Sequence, residues 1–204
     1  MKTSQLLPVV ATTLFTALVA LVAAPSFAQT VTTPTTPAAT PAQRDVAQQT
    51  RIESGLKSGE LTVHEASKLE AETAKVNHVE AKAAKDGTIT SAEQARITAA
   101  QNKVSKDIHA EKHDAQTGNP NTVASQRMQA DVDRNVKQEA RIADGVKDGS
   151  LTTKEAGSLK HGQAKVQRKE ARAARDGKVT ANEQAKVQVA ENHQSRRIRR
   201  QKHD

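Results

Sequence analysis

Residues Arg44–Asp114 align with Arg134–Asp204 without a gap, and 33 of the 71 aligned positions are identical. This tandem repeat is the strongest constraint on the fold, because any element assigned to one copy must also work in the other. RIESGLKSGELTVHEASKL answers RIADGVKDGSLTTKEAGSL, and EAKAAKDGTIT answers EARAARDGKVT. An inner echo of 28 residues lies within each copy, so four segments share Thr-x-x-Glu: Thr62/Glu65, Thr90/Glu93, Thr152/Glu155 and Thr180/Glu183. This spacing is that of the capping box, in which the Thr hydroxyl accepts from the N–H three residues on and the Glu carboxylate reaches back. A glycine stands three residues before each Thr (Gly59, Gly87, Gly149 and Gly177), where a left-handed residue closes the preceding helix.

Between these stop and start signals the sequence is helical. Val63–Lys85 has no Gly or Pro and is rich in Ala, Glu and Lys. Ala66, Leu69, Val76 and Ala83 fall on one stripe, and Ala156, Leu159, Val166 and Ala173 repeat it. Ser91–His113 and Ala181–His203 predict a further helix in each copy, and Arg44–Lys57 and Ser125–Lys147 lead into the copies. The expected fold is all-α and elongated, with two tandem three-helix modules of antiparallel helices joined by short Gly-x-x-Thr loops. A long frayed helical rod is the alternative. The boundaries read as a signal peptide over 1–28, a Thr/Pro-rich linker over 29–43, repeat 1 over 44–114, a linker over 115–133 containing Thr117–Asn121, and repeat 2 over 134–204.

The first 28 residues carry Lys2, an apolar run from Leu6 to Ala24 and the small-x-small site Ser26-Phe27-Ala28. That order is a secretory signal peptide, with Pro8 and the cleavage site arguing against a retained anchor and leaving no transmembrane helix in the mature chain. Both phenylalanines lie within it, so the rest of the chain has no aromatic residue and builds any core from Ala, Val, Leu and Ile. Such a core buries little apolar area per residue and offsets conformational entropy thinly. With no cysteine, neither a disulfide nor a lipidated N-terminus is available. The expected location is the periplasm or the medium of a bacterium.

The Asp-Gly loops resemble degenerate EF-hands over about twelve residues each. With the loop numbered so that its Gly is sixth, ligands are needed at positions 1, 3, 5, 7, 9 and 12. Lys82 and Ala84, or Arg172 and Ala174, occupy the first and third places of two loops, and Ser54, Leu56 and Ser58 the early places of another. Only Asp144–Glu155 comes near, with Asp144, Asp148, Ser150 and Glu155 as candidate Ca²⁺ ligands and Val146 at the third place. Paired EF-hands set their loops side by side, whereas here a helix of some 23 residues, about 35 Å, separates them. The loops are therefore read as helix punctuation and no cofactor is required, with weak calcium binding the alternative function.

The whole repeat resembles a group of exported bacterial tandem-repeat proteins that share RIxxGxxxGxLTxxEA and a C-terminal KHD. The resemblance implies export and brings no activity with it. His109 and His113 lie one turn apart, but the second copy has Arg199 and His203 there, and a zinc site needs three or four ligands. No nucleophile accompanies the recurring His-Asp pairs, so no enzyme is expected.

Charge is distributed unequally. Repeat 1 has 11 Lys/Arg and 12 Asp/Glu (net −1), and repeat 2 has 18 and 9 (net +9). Arg168, Lys169, Arg172, Arg175, Arg196, Arg197, Arg199, Arg200 and Lys202 form the candidate anion-binding set. The expected function is that of a non-enzymatic interaction protein whose basic module docks on an anionic envelope component or an acidic protein. Attraction between the unlike modules makes self-association a further possibility. A solvated basic face that keeps the chain soluble is the plainer reading. Export and the absence of base-stacking aromatics speak against nucleic acid.

Overall fold

The computed structural model describes residues 39–203. The signal peptide and most of the Thr/Pro-rich linker expected from the sequence lie outside the described residues. Six helices follow: α1 Pro41–Ser58, α2 Val63–Ala83, α3 Ser91–Lys112, α4 Val123–Asp148, α5 Thr153–Ala173 and α6 Ala181–Gln201. No strand occurs among the described residues. The fold is all-α, and its packing is compatible with two three-helix modules, α1–α3 and α4–α6.

The punctuation works as its chemistry requires. Thr62, Thr90, Thr152 and Thr180 each cap a helix in a complete capping box with the Glu three residues on. Gly59 and Gly149 close α1 and α4 at φ 81° and 78°, a region that an L side chain enters only with strain. Leu61 N–H then donates to the Gly55 carbonyl and Leu151 N–H to that of Gly145, which folds each leucine back over the helix it has just left.

The linker between repeats is shorter than 115–133, because α4 already begins at Val123. Relative to the repeat alignment α4 therefore starts earlier than α1. Its first turns bring Met128 into the core, and Arg127 donates to the Val179 carbonyl at 2.6 Å. Val179 is buried there, whereas its counterpart Ile89 is 39% exposed.

The two repeats lie against each other, chiefly through α2 on α5 and α1 on α4. Their contacts are reciprocal: Lys160 bonds Asp45, and the equivalent residues Glu70 and Asn135 are 3.3 Å apart. Asn77 donates to Gln167, its own counterpart 90 positions on, at 2.8 Å. Such pairing is the mark of an approximate twofold relation between the copies. Around it the stripe Ala66, Leu69, Val76 and Ala83 is buried as expected, with Leu159, Val166 and Ala173 in the second copy, while Ala156 is half-buried.

The interior is more polar than the stripe suggests. Lys160 is buried among three carboxylates: it pairs with Asp45, with Glu139 at 2.7 Å and with Glu80 at 3.1 Å. Burial alone would push its ammonium down, but the charges of Asp45, Glu139 and Glu80 hold it well above the ordinary lysine value. The mirror half has no buried cation. Glu70 is raised to about 8 by burial, against hydrogen bonds from Gln49 and Thr73 and with the charges of Glu139 and Asp131. Glu170 is raised well above its usual value by burial and by the charges of Glu70, Glu191 and Asp131. Burial also lifts Glu191 to about 8, despite the Arg134 ion pair at 3.0 Å, and Asp131 to about 7.

Carboxyls whose folded pKa exceeds the unfolded value bind protons on folding, so their stability is present at acidic pH and is lost as pH rises from about 4 towards 8. The circular-dichroism melting midpoint is expected to fall by about 5–10 °C between pH 5 and pH 8, and Glu70→Gln to reduce that slope. Lys160→Met, which strands three buried carboxylates, is expected to cost about 3–5 kcal/mol in urea unfolding at pH 7.

Candidate functional site

Helices α5 and α6 leave a groove of about 550 Å³ on their outer side. Spacings of three and four place Lys165, Arg168, Lys169 and Arg172 along one edge of α5, and α6 contributes His193, Arg196 and Arg197. No acidic side chain lines it. The accumulated charge reaches the imidazole of nearby His161, whose pKa is lowered by burial and by the cations of Lys165, Arg168 and Arg197.

The same place in repeat 1 is chemically different. Glu72, Lys103 and Asp107 stand where repeat 2 has Gly162, His193 and Arg197. Lys103 bridges Glu72 at 3.0 Å and Asp107 at 2.5 Å, so the cation there is neutralised within the chain. Loss of these two acids, together with Arg168 and Lys169 standing where repeat 1 has His78 and Val79, converts a closed ion cluster into an open cationic groove.

Of the nine basic residues expected to bind anions, the groove gathers Arg168, Lys169, Arg172, Arg196 and Arg197. The remaining four lie apart from its lining. Arg175 follows α5, with its carbonyl 2.6 Å from His64 Nδ1. Arg199 adds its charge beside Arg141, Arg200 lies beside Arg197, and Lys202 pairs with Asp148 at 3.6 Å. Lys165 and His193 were not in the expected set. Lys165 stands three residues before Arg168, but Lys75 occupies the same place in repeat 1, so a comparison of the two copies does not single it out. His193 stands alone in the sequence and becomes part of the groove only when α6 folds against α5.

The candidate calcium ligands are not brought together. Asp148 Oδ1 accepts from Ser150 N–H at 2.9 Å, which lowers its pKa, and its Oδ2 faces Lys202. Glu155 accepts from the Thr152 hydroxyl and N–H, and these bonds lower its pKa. Asp144 is exposed within α4, one turn before its end. Among the described residues the one group of three carboxylates that converges is instead Glu65, Glu111 and Asp114. His109 and His113 stack at 4.2 Å, with His113 Nδ1 2.7 Å from the His109 carbonyl.

Compared with known protein families, curated proteins and solved structures, the chain matches none. No helix among the described residues is long and apolar enough to cross a membrane.

With Asp148 and Glu155 engaged in a helix stop and start, melts of the protein in chelator and in millimolar calcium are expected to coincide. A rise of several degrees in calcium that disappears in Asp144→Ala would restore the loop as a metal site.

Proposed function

We propose that the chain is a non-enzymatic interaction protein exported to the bacterial envelope, and that repeat 2 docks on an anionic component there. The observation that carries this reading is the α5–α6 groove, with seven basic groups and no acidic side chain in its lining. Repeat 1, at the same place, has its own cation closed off by two carboxylates. The secretory text before residue 29 and the Thr/Pro-rich segment after it supply the route and the tether. Repeat 1 serves as the packing partner that completes the interior of repeat 2 through Asp45, Glu80 and Asn77.

Electrostatic docking has a defined salt response, because exposed charges are screened within ~10 Å at 0.1 M salt. Each basic residue near an anionic surface contributes about 1 kcal/mol. Co-sedimentation with phosphatidylcholine vesicles containing phosphatidylglycerol is expected at low salt and to be lost at several hundred millimolar. Changing Lys165, Arg168, Arg172 and Arg196 together to Ala is expected to weaken it by about a hundredfold or more. The Arg199→Ala/Arg200→Ala pair is expected to weaken it less. Equal loss from both sets would remove the groove as the docking site.

A further inference from the structure

Arg197 is held at more points than any other cation of the groove, where Arg172 and Lys169 each make a single bond to a backbone carbonyl. Its Nη2 donates to Ser158 Oγ at 2.9 Å and to the Ser158 carbonyl at 3.3 Å, and its Nη1 to Gln194 Oε1 at 3.5 Å. Gln194 is buried and fixed in turn, its Nε2 donating to the Leu159 carbonyl at 2.8 Å. The guanidinium lies in the notch left by Gly162, where an added Cβ would come within 2.6 Å of Nη1 and 2.1 Å of Gln194 Oε1. Each part of this mount is particular to repeat 2. The equivalent positions in repeat 1 are Asp107 for Arg197, Lys68 for Ser158, Val104 for Gln194 and Glu72 for Gly162.

The mount fixes the guanidinium with neutral acceptors and supplies no carboxylate. Around it stand Lys165, Arg168, His193 and Arg196, so the charge has no counter-ion in the groove lining. A planar guanidinium whose rotamers are already restricted loses less entropy when an oxyanion binds. We propose that Arg197 is the centre of one built phosphate subsite, and that its ligand is a phosphomonoester on a lipid headgroup.

This rests on the reading of the groove as a docking surface and sharpens it. A phosphomonoester carries close to two negative charges near neutral pH and three acceptor oxygens, against one charge for a phosphodiester or carboxylate. A cluster of four cations, Lys165, Arg168, Arg196 and Arg197, around one point favours the denser charge. The lipid source is argued from the rim, where Val189 of α6 lines the groove and is 67% exposed. An apolar side chain beside a basic groove suits the boundary between headgroups and acyl chains.

Two variants test this without changing the net charge. Gly162→Ala pushes the guanidinium out of its notch, and Arg197→Lys keeps the charge but loses the bonds to Ser158. The chain from Gln29 onward, wild type and both variants, is sedimented with phosphatidylcholine vesicles containing phosphatidic acid or, at matched surface charge, phosphatidylglycerol. Wild type is expected to bind the phosphatidic acid vesicles about fivefold or more tightly. Both variants are expected to fall to the phosphatidylglycerol level, the Arg197→Lys melt unchanged and the Gly162→Ala melt lowered as buried Gln194 gives way to the added methyl. Equal wild-type affinity for the two vesicles, or a preference retained in Arg197→Lys, overturns the subsite while leaving the docking surface standing. Failure of wild type to bind either vesicle overturns both. If free glycerol phosphate competes as well, per phosphate, as the phosphatidic acid vesicles bind, the lipid source is overturned.

Discussion

Everything in the fold leans on the contact between Lys160 of the second repeat and Asp45 of the first, reinforced by Glu80 and Glu139. A chain with no aromatic side chains after its first 28 residues has limited apolar surface with which to hold two modules together. It uses a polar interface instead, and the buried amides Asn77, Gln167 and Asn135 carry hydrogen bonds across it. Burying charge is costly, and a buried ion pair is often no more stabilising than well-packed hydrocarbon. What it does supply is register, since a helix shifted by one turn would leave an ammonium or a carboxylate without its partner.

The legible part of this structure was local. Thr-x-x-Glu and the preceding glycine carry their geometry in a few consecutive residues, so four of the six helix starts, those of α2, α3, α5 and α6, are legible without any knowledge of packing. The Ala66–Leu69–Val76–Ala83 stripe has the same property, because it needs only the helical period. The polar interior did not show itself in the sequence. Glu70, Thr73, Asn77 and Glu80 run beside the stripe at spacings of three and four, which is a buried face written in residues that ordinarily face water. Only the long-range partners Asn135, Glu139, Lys160 and Gln167 make their burial tolerable, and no local pattern announces them.

The candidate site divides in the same way. That repeat 2 carries the positive charge is a matter of counting; which of its cations share a groove depends on the packing of α5 against α6. Arg197 illustrates the difference. In the sequence it is one arginine in a run of basic residues, while in the fold it is the one seated on Ser158 and Gln194 across a glycine notch. The Asp144 loop erred in the opposite direction. It held carboxylates at suitable spacings, but the helix ends on either side had already engaged Asp148 and Glu155.

The pairing of unlike halves has a consequence for assembly. Two identical copies of repeat 1, brought together in the same way, would set Glu70 against Asp45 twice, acid facing acid. Two copies of repeat 2 would set Lys160 against Asn135 twice and forfeit the buried ion pair with Asp45, while Glu170 would stand where Glu80 does. A symmetric pair of either repeat would therefore lack the contact between Lys160 and Asp45. Cutting the gene between the repeats would yield two partners that must find each other, and neither could replace the other.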